Sequence, residues 1–171
     1  MKFLYSFITL LGSVAAQGIF LDDLNQKISP QVTKLANDVQ GFPESGLDGA
    51  LTIDSDSKDL ITILDSATED ARDQGSYSLV TGVALTADIS PVVATLNGLL
   101  LDFSAKKDDF DALTLPSGSL ILSDLQKLNQ STVDYANALV DAAPVLQVVA
   151  MVAIRDTIAA SFEQAINTYT P

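Results

Sequence analysis

The sequence predicts an all-α chain: a five-helix antiparallel bundle with space for an apolar cavity between its helices. Three observations lead there. From Gln17 onward the apolar residues recur at intervals of three and four, in five separate stretches, rather than alternating as in strands. Gly, Pro and short polar segments part the stretches, and connections this short predict that successive helices lie side by side and antiparallel. The composition is 47% hydrophobic but only 6% aromatic, with no Trp and no Cys. Such a core is aliphatic, is held without disulfides, and suits close helix packing.

The first 16 residues read as a leader rather than as fold. Met1-Lys2 is a short basic start, Phe3 to Leu11 an apolar run, and Val14-Ala15-Ala16 the small residues a signal peptidase accepts before Gln17. That leaves 17–171 as one helical domain and predicts secretion. The leader's run is too short to cross a bilayer, and Asn167-Thr168-Tyr169-Thr170-Pro171 carries no apolar tail. The expectation is therefore no transmembrane segment and no glycolipid anchor.

The elements follow in order. Leu21, Leu24, Ile28, Val32, Leu35, Val39 and Phe42 keep one helical phase across Pro30, which predicts either one helix kinked at Ser29-Pro30 or two collinear pieces. Gly41, Pro43 and Gly46 end it. Asp54 to Asp59 offer capping side chains for a second helix carrying Leu60, Leu64, Ala67 and Ala71, closed by Gly75. The third carries Leu85, Ile89, Val92, Leu96, Leu99 and Phe103. Pro91 should kink it, and Lys106-Lys107 suit its C-terminal dipole. After Pro116-Ser117-Gly118 the fourth shows Ile121, Leu125, Leu128, Thr132, Tyr135 and Leu139. The fifth starts at Pro144, a residue favoured in the first helical position, and shows Val148, Met151, Arg155, Ile158, Phe162, Ile166 and Tyr169.

Charge and residue usage exclude several functions. With 22 Asp+Glu against 9 Lys+Arg, the chain repels polyanions, so nucleic acid and anionic headgroups are excluded as partners. With no His and no Cys there is no neutral-pH base and no thiol nucleophile, and a Ser-His-Asp triad is impossible. The expectation is a protein that is not an enzyme. A hydrolase using two carboxylates would need a close acidic pair in a cleft. Asp54-Ser55-Asp56-Ser57-Lys58-Asp59 resembles a calcium loop only superficially: Lys58 holds the fifth position, no Gly the sixth and no Glu the twelfth. No metal and no cofactor is expected, and Asp108-Asp109-Phe110-Asp111 reads as a polar turn. Asn129-Gln130-Ser131 is a sequon and a candidate glycosylation site.

If the stripes enclose a cavity, its apolar lining is drawn from Leu85, Ile89, Leu96 and Phe103 on the third helix, and from Leu125 and Leu128 on the fourth. The fifth supplies Val149, Met151, Ile158 and Phe162. Thr132 and Arg155 each interrupt a stripe with a polar group, and a 1.5 Å rise per residue sets both at a similar distance from the turn between the last two helices. One reading makes them a head-group site for a carboxylate such as a fatty acid. The other leaves Arg155 at the stripe edge with its guanidinium outside, or paired with an acid such as Asp102.

The chain resembles the fungal hydrophobic surface-binding protein A and cell-wall galactomannoprotein family. The resemblance lies in the leader, five cysteine-free helices, Gly41-Phe42-Pro43 after helix one, Lys106-Lys107-x-x-Phe110-Asp111 after helix three, and the closing Ala165-Ile166-x-x-Tyr169. It implies a secreted or wall-associated bundle that adsorbs to hydrophobic surfaces or encloses fatty acids between its helices, with a secreted esterase as a partner in some members. Its implied partners here are a long-chain fatty acid or other lipid, or a hydrophobic solid surface. The absence of a Ser/Thr-rich tail favours free secretion. The competing expectation is a structural cell-wall protein or antigen without a small-molecule ligand.

Overall fold

The structure is a computed structural model that describes residues 18–113 and 117–170. The leader, 1–16, lies outside the described residues, as does Pro116 in the break before the fourth long helix.

Helix α1 spans 18–41 and includes a π-helical segment, Asp23–Ile28, followed by Ser29–Gly41. Pro30 has no N–H to donate, so a regular ladder would fail there. The helix instead widens one turn earlier, where the Ser29 N–H donates to Leu24 O, five residues back. The Pro30 question is thus settled as one helix with a π turn. Phe42-Pro43 is a cis peptide.

Helix α2 spans Gly46–Gln74 and starts two turns earlier than its stripe predicts. Asp54 to Asp59 therefore lie inside the helix and cap nothing, and Asp56 and Ser57 are buried. The early turns carry Gly49 and the exposed Leu47 and Leu51, so no apolar stripe announces them. Gly75 ends the helix at φ +71, a conformation that favours glycine.

Helix α3, Leu79–Ala105, is capped by the Ser78 side chain accepting from the Thr81 N–H at 3.2 Å, and runs on through the exposed Pro91. The polar turn expected at Asp108 to Asp111 is in fact a short helix, α4, Lys107–Asp111, formed around the fully buried Phe110. Helix α5 spans Ser117–Ala142 and α6 Val148–Tyr169. Pro144 is not at the first position of α6. It sits in the connecting turn, where its carbonyl accepts from the Gln147 N–H.

The five long helices close into a ring in the order α1, α2, α5, α6, α3 and back to α1. Successive helices are main neighbours only for α1 with α2 and α5 with α6. The connection from α2 to α3 instead crosses the end of the ring, where the Tyr77 N–H donates to Ala142 O at 3.1 Å. Helices α1, α3 and α6 run one way: Lys106 at the end of α3 donates to Gln40 O at 2.9 Å and to Phe42 O, at the end of α1. At the same end the Tyr169 hydroxyl of α6 donates to Phe103 O at 2.7 Å. These bonds satisfy carbonyls that a helix C-terminus leaves unpaired.

Aromatic side chains seal both ends. Phe42 stacks on Phe110 at 4.1 Å, with Phe103 at 6.0 Å from Phe110. At the other end Phe20 meets Tyr77 edge-on at 5.2 Å, and the Tyr77 hydroxyl donates to Leu139 O. The core between them is aliphatic, each fully buried Leu or Ile contributing about 1.5–3 kcal/mol.

Candidate functional site: an apolar slot inside the helical ring

Because the ring closes on itself, one stripe from every long helix faces a common axis. At mid-height the stripes leave a slot of about 40 Å³. Its wall takes Leu24, Ile28 and Val32 from α1 and Leu60 and Leu64 from α2. Helix α3 adds Ile89, Val92, Val93 and Leu96, α5 Thr132, Tyr135 and Ala136, and α6 Ile158. No charged side chain stands in this wall. Small-molecule sites commonly occupy about 300–1,000 Å³, so a long-chain molecule fits only if the walls part.

Of the residues singled out from sequence, Ile89, Leu96, Ile158 and Thr132 stand in the wall. Leu85, Phe103, Leu125, Leu128, Met151 and Phe162 are buried in the core away from it. Val149 is a correction: it is 80% exposed, because it lies two residues from the buried Met151 and so on the opposite face of α6. Arg155 is another. Its guanidinium donates to Asp156 Oδ1 at 2.7 and 2.9 Å and to Asn137 Oδ1 at 3.3 Å, at the edge of α6, and it reaches neither the slot nor Asp102. The Thr132 hydroxyl donates to Leu128 O at 2.6 Å, the usual back-bond of a helical threonine. Asn129 is half-buried in α5 and Ser131 is buried, which leaves little room for a glycan. Among the described residues no cluster of three or more His, Cys, Asp or Glu could hold a metal ion.

Sequence reasoning missed Tyr135 as a site residue. It is 4% exposed, it lines the slot, and its hydroxyl has no hydrogen-bond partner. Burial holds the phenol far above its ordinary value, with Asp23 and Tyr77 adding to the effect. An aromatic with a polar tip at a core-facing position was the available signal.

Val93 lines both the slot and an outer groove of about 250 Å³ between α3 and α6, bounded by Ser90, Ala153, Ile154 and Thr157. The slot and the groove thus share Val93 as a wall residue. The same seam ends in an apolar rim. Thr86 Oγ1 donates to Gln147 Oε1 at 3.2 Å, which ties the α5–α6 turn to the start of α3. Around that tie Val80, Val83, Val145, Leu146 and Val149 are exposed. The expectation of no spanning segment needs one qualification: by length and composition α3 is apolar enough to cross a membrane. In the ring its core face packs on α1 and α6, and the surplus apolarity appears as Val80, Val83 and Leu101 at the surface.

A closed ring of amphipathic helices around an uncharged slot defines an all-α protein built to hold, or to meet, apolar matter. The chain belongs to the hydrophobic surface binding protein A family, whose sequence profile matches residues 19–141. No curated protein sequence matches it. Among solved structures it is similar to ligand binding domain 1 of the Penicillium marneffei MP1 protein complexed with arachidonic acids, with a TM-score of 0.84 at 18% identity. That likeness covers 91% of this chain and 99% of the other. It is also similar to Afmp4p in complex with palmitic acid, with a TM-score of 0.83 at 26% identity over 90% of this chain and 99% of the other. Ligand binding domain 2 of the MP1 protein, complexed with multiple arachidonic acids, gives 0.81 at 17% identity over 90% and 95%.

Proposed function

We propose that this chain is a secreted, non-catalytic fungal carrier that holds a long-chain lipid, a fatty acid among the candidates, between the helices of its ring. The observation that carries the reading is the slot wall: five helices contribute aliphatic side chains to one axis, with two hydroxyl-bearing residues and no charge. Val, Leu and Ile contacts lack directed bonds, so such a wall can part and re-form around an acyl chain at modest cost. The similarity to the palmitic acid complex of Afmp4p supports the same reading. The α3–α6 seam is the proposed route in, because Val93 is a wall residue of both groove and slot. Secretion rests on the leader at 1–16, and the non-catalytic reading on the absence of His and Cys.

A second reading, adsorption to hydrophobic solids with or without an esterase alongside, is favoured by the exposed rim of Val80, Val83, Val145, Leu146 and Val149. One experiment separates the two. Delipidated protein and the variant Val145→Asp, Leu146→Asp, Val149→Asp are mixed with palmitic acid and, separately, with hexadecan-1-ol for native mass spectrometry and, in parallel, exposed to polystyrene. A stoichiometric adduct in both proteins, with adsorption lost only in the variant, assigns cargo to the slot and surfaces to the rim. No adduct in either protein rejects the carrier, and an adduct lost with the rim places the lipid outside the ring.

A further inference from the structure

Resting on the carrier reading, we infer that Tyr135 is the polar anchor of the slot and that it selects lipids bearing a neutral oxygen, such as an alcohol or ester, over ionised carboxylates. Tyr135 lines the slot, and its hydroxyl is enclosed and bonds to nothing in the protein. A buried hydroxyl without a partner is costly, so a group that supplies one is favoured there. The other hydroxyl in the wall has already given its proton to Leu128 O. Only Tyr135 therefore has a donor to offer, and an alcohol, ester or protonated acid accepts it well.

An ionised carboxylate fares differently. Removed from water, it needs a cation or several donors. No cation stands in the wall, and three on the wall's helices are held elsewhere: Lys27 with Asp23 at 2.6 Å, Lys34 with Asp56, and Arg155 with Asp156. The buried Asp23 carboxylate already takes up the charge of Lys27, so that cation is not free for a second anion. A single neutral donor does not offset the hydration an ionised carboxylate loses, whereas a neutral oxygen has less hydration to lose.

The test measures equilibrium binding of hexadecan-1-ol, methyl palmitate and potassium palmitate at pH 8.5 to the full chain and to Tyr135→Phe. The wild-type protein should bind the alcohol and the ester roughly tenfold more tightly than palmitate. In Tyr135→Phe those two should weaken about five- to tenfold, the worth of one buried hydrogen bond, with palmitate unchanged. Thermal unfolding of the variant should be unchanged or shifted upward, since only an unpaired hydroxyl is removed. Unchanged alcohol and ester affinities in Tyr135→Phe would overturn the assignment, as would tighter binding of palmitate by the wild type. Failure of all three to bind the wild-type protein would overturn the carrier reading itself, a result distinct from binding that ignores Tyr135.

Discussion

Asp124 of α5 and Asp54 of α2 line one pocket at the interface between those helices, where Lys58 bonds Asp54 at 2.6 Å. Burial, then the charge of Asp54, pushes Asp124 up to about 6, against the pull of Lys58 and Lys127. On the other flank of α2, the hydrogen bond that Asp38 donates to Asp56, and then burial, raise Asp38. Asp56 is pushed up by burial, but its bonds from Asp38 and Lys34 outweigh that and leave it lowered.

A carboxyl whose folded value exceeds its unfolded one favours the folded state only while it is protonated. The Asp124 contribution is therefore present below about pH 4 and is lost as pH rises through about 6, a fall of up to about 3 kcal/mol. Thermal melts from pH 4 to 7 should show the midpoint dropping. Asp124→Asn, which keeps a hydrogen-bonding partner for Asp54 without the charge, should flatten that drop. A wild-type midpoint that rises over the interval would refute the assignment.

Arg155→Ala should leave lipid affinity within about twofold, because the guanidinium serves Asp156 and Asn137 rather than the slot. Its cost in stability should stay under about 1 kcal/mol, as for other partly exposed ion pairs. Titration with palmitic acid and a urea melt check both values, and a tenfold loss of affinity would restore Arg155 as a head-group residue.

Val93→Ala should join the outer groove to the slot. Stopped-flow uptake of a fluorescent fatty acid is expected to quicken several-fold, at a stability cost of about 1 kcal/mol for a half-buried side chain. An unchanged uptake rate with an intact fold would move the route away from this seam.

Two glycines of α3 should respond in opposite directions. At Gly98 an added Cβ meets nothing within 4 Å, so Gly98→Ala should gain about 1 kcal/mol of helix propensity. At Gly82 the same atom would lie 3.0 Å from both Gln147 Cγ and the Tyr77 ring. The Gln147 chain can swing aside. The Tyr77 ring, wedged on Phe20 and bonded to Leu139 O, cannot, so overpacking should outweigh propensity and Gly82→Ala should lose about 1 kcal/mol. Chemical denaturation of the two variants side by side tests the contrast.

Much of the helical content was legible because a 3.6-residue period marks one face of each helix. Leu85, Ile89, Val92, Leu96, Leu99 and Phe103 are all buried, as their spacing requires. The boundaries were less legible. Leu47 and Leu51 in the first turns of α2 are exposed and form no stripe, and Phe110 turned an apparently polar stretch into a helix by filling the aromatic seal. Of the site, Ile89, Leu96, Thr132 and Ile158 could be named in advance, whereas Leu60 and Tyr135 looked like any other core positions.

The sequence by itself determined an all-α, cysteine-free, acidic chain whose amphipathic stripes had to bury one another, and it removed histidine and thiol chemistry. Which stripes meet was decided only in three dimensions. A stripe fixes the inward face of its own helix but not its neighbour, and a short connection can cross the end of a ring as readily as join two adjacent helices. Ring closure put α3 between α1 and α6, gave Arg155 to Asn137 and Asp156, and left the Tyr135 hydroxyl enclosed without a partner. Those outcomes depend on how five helices share one volume, a property no single helix carries in its period.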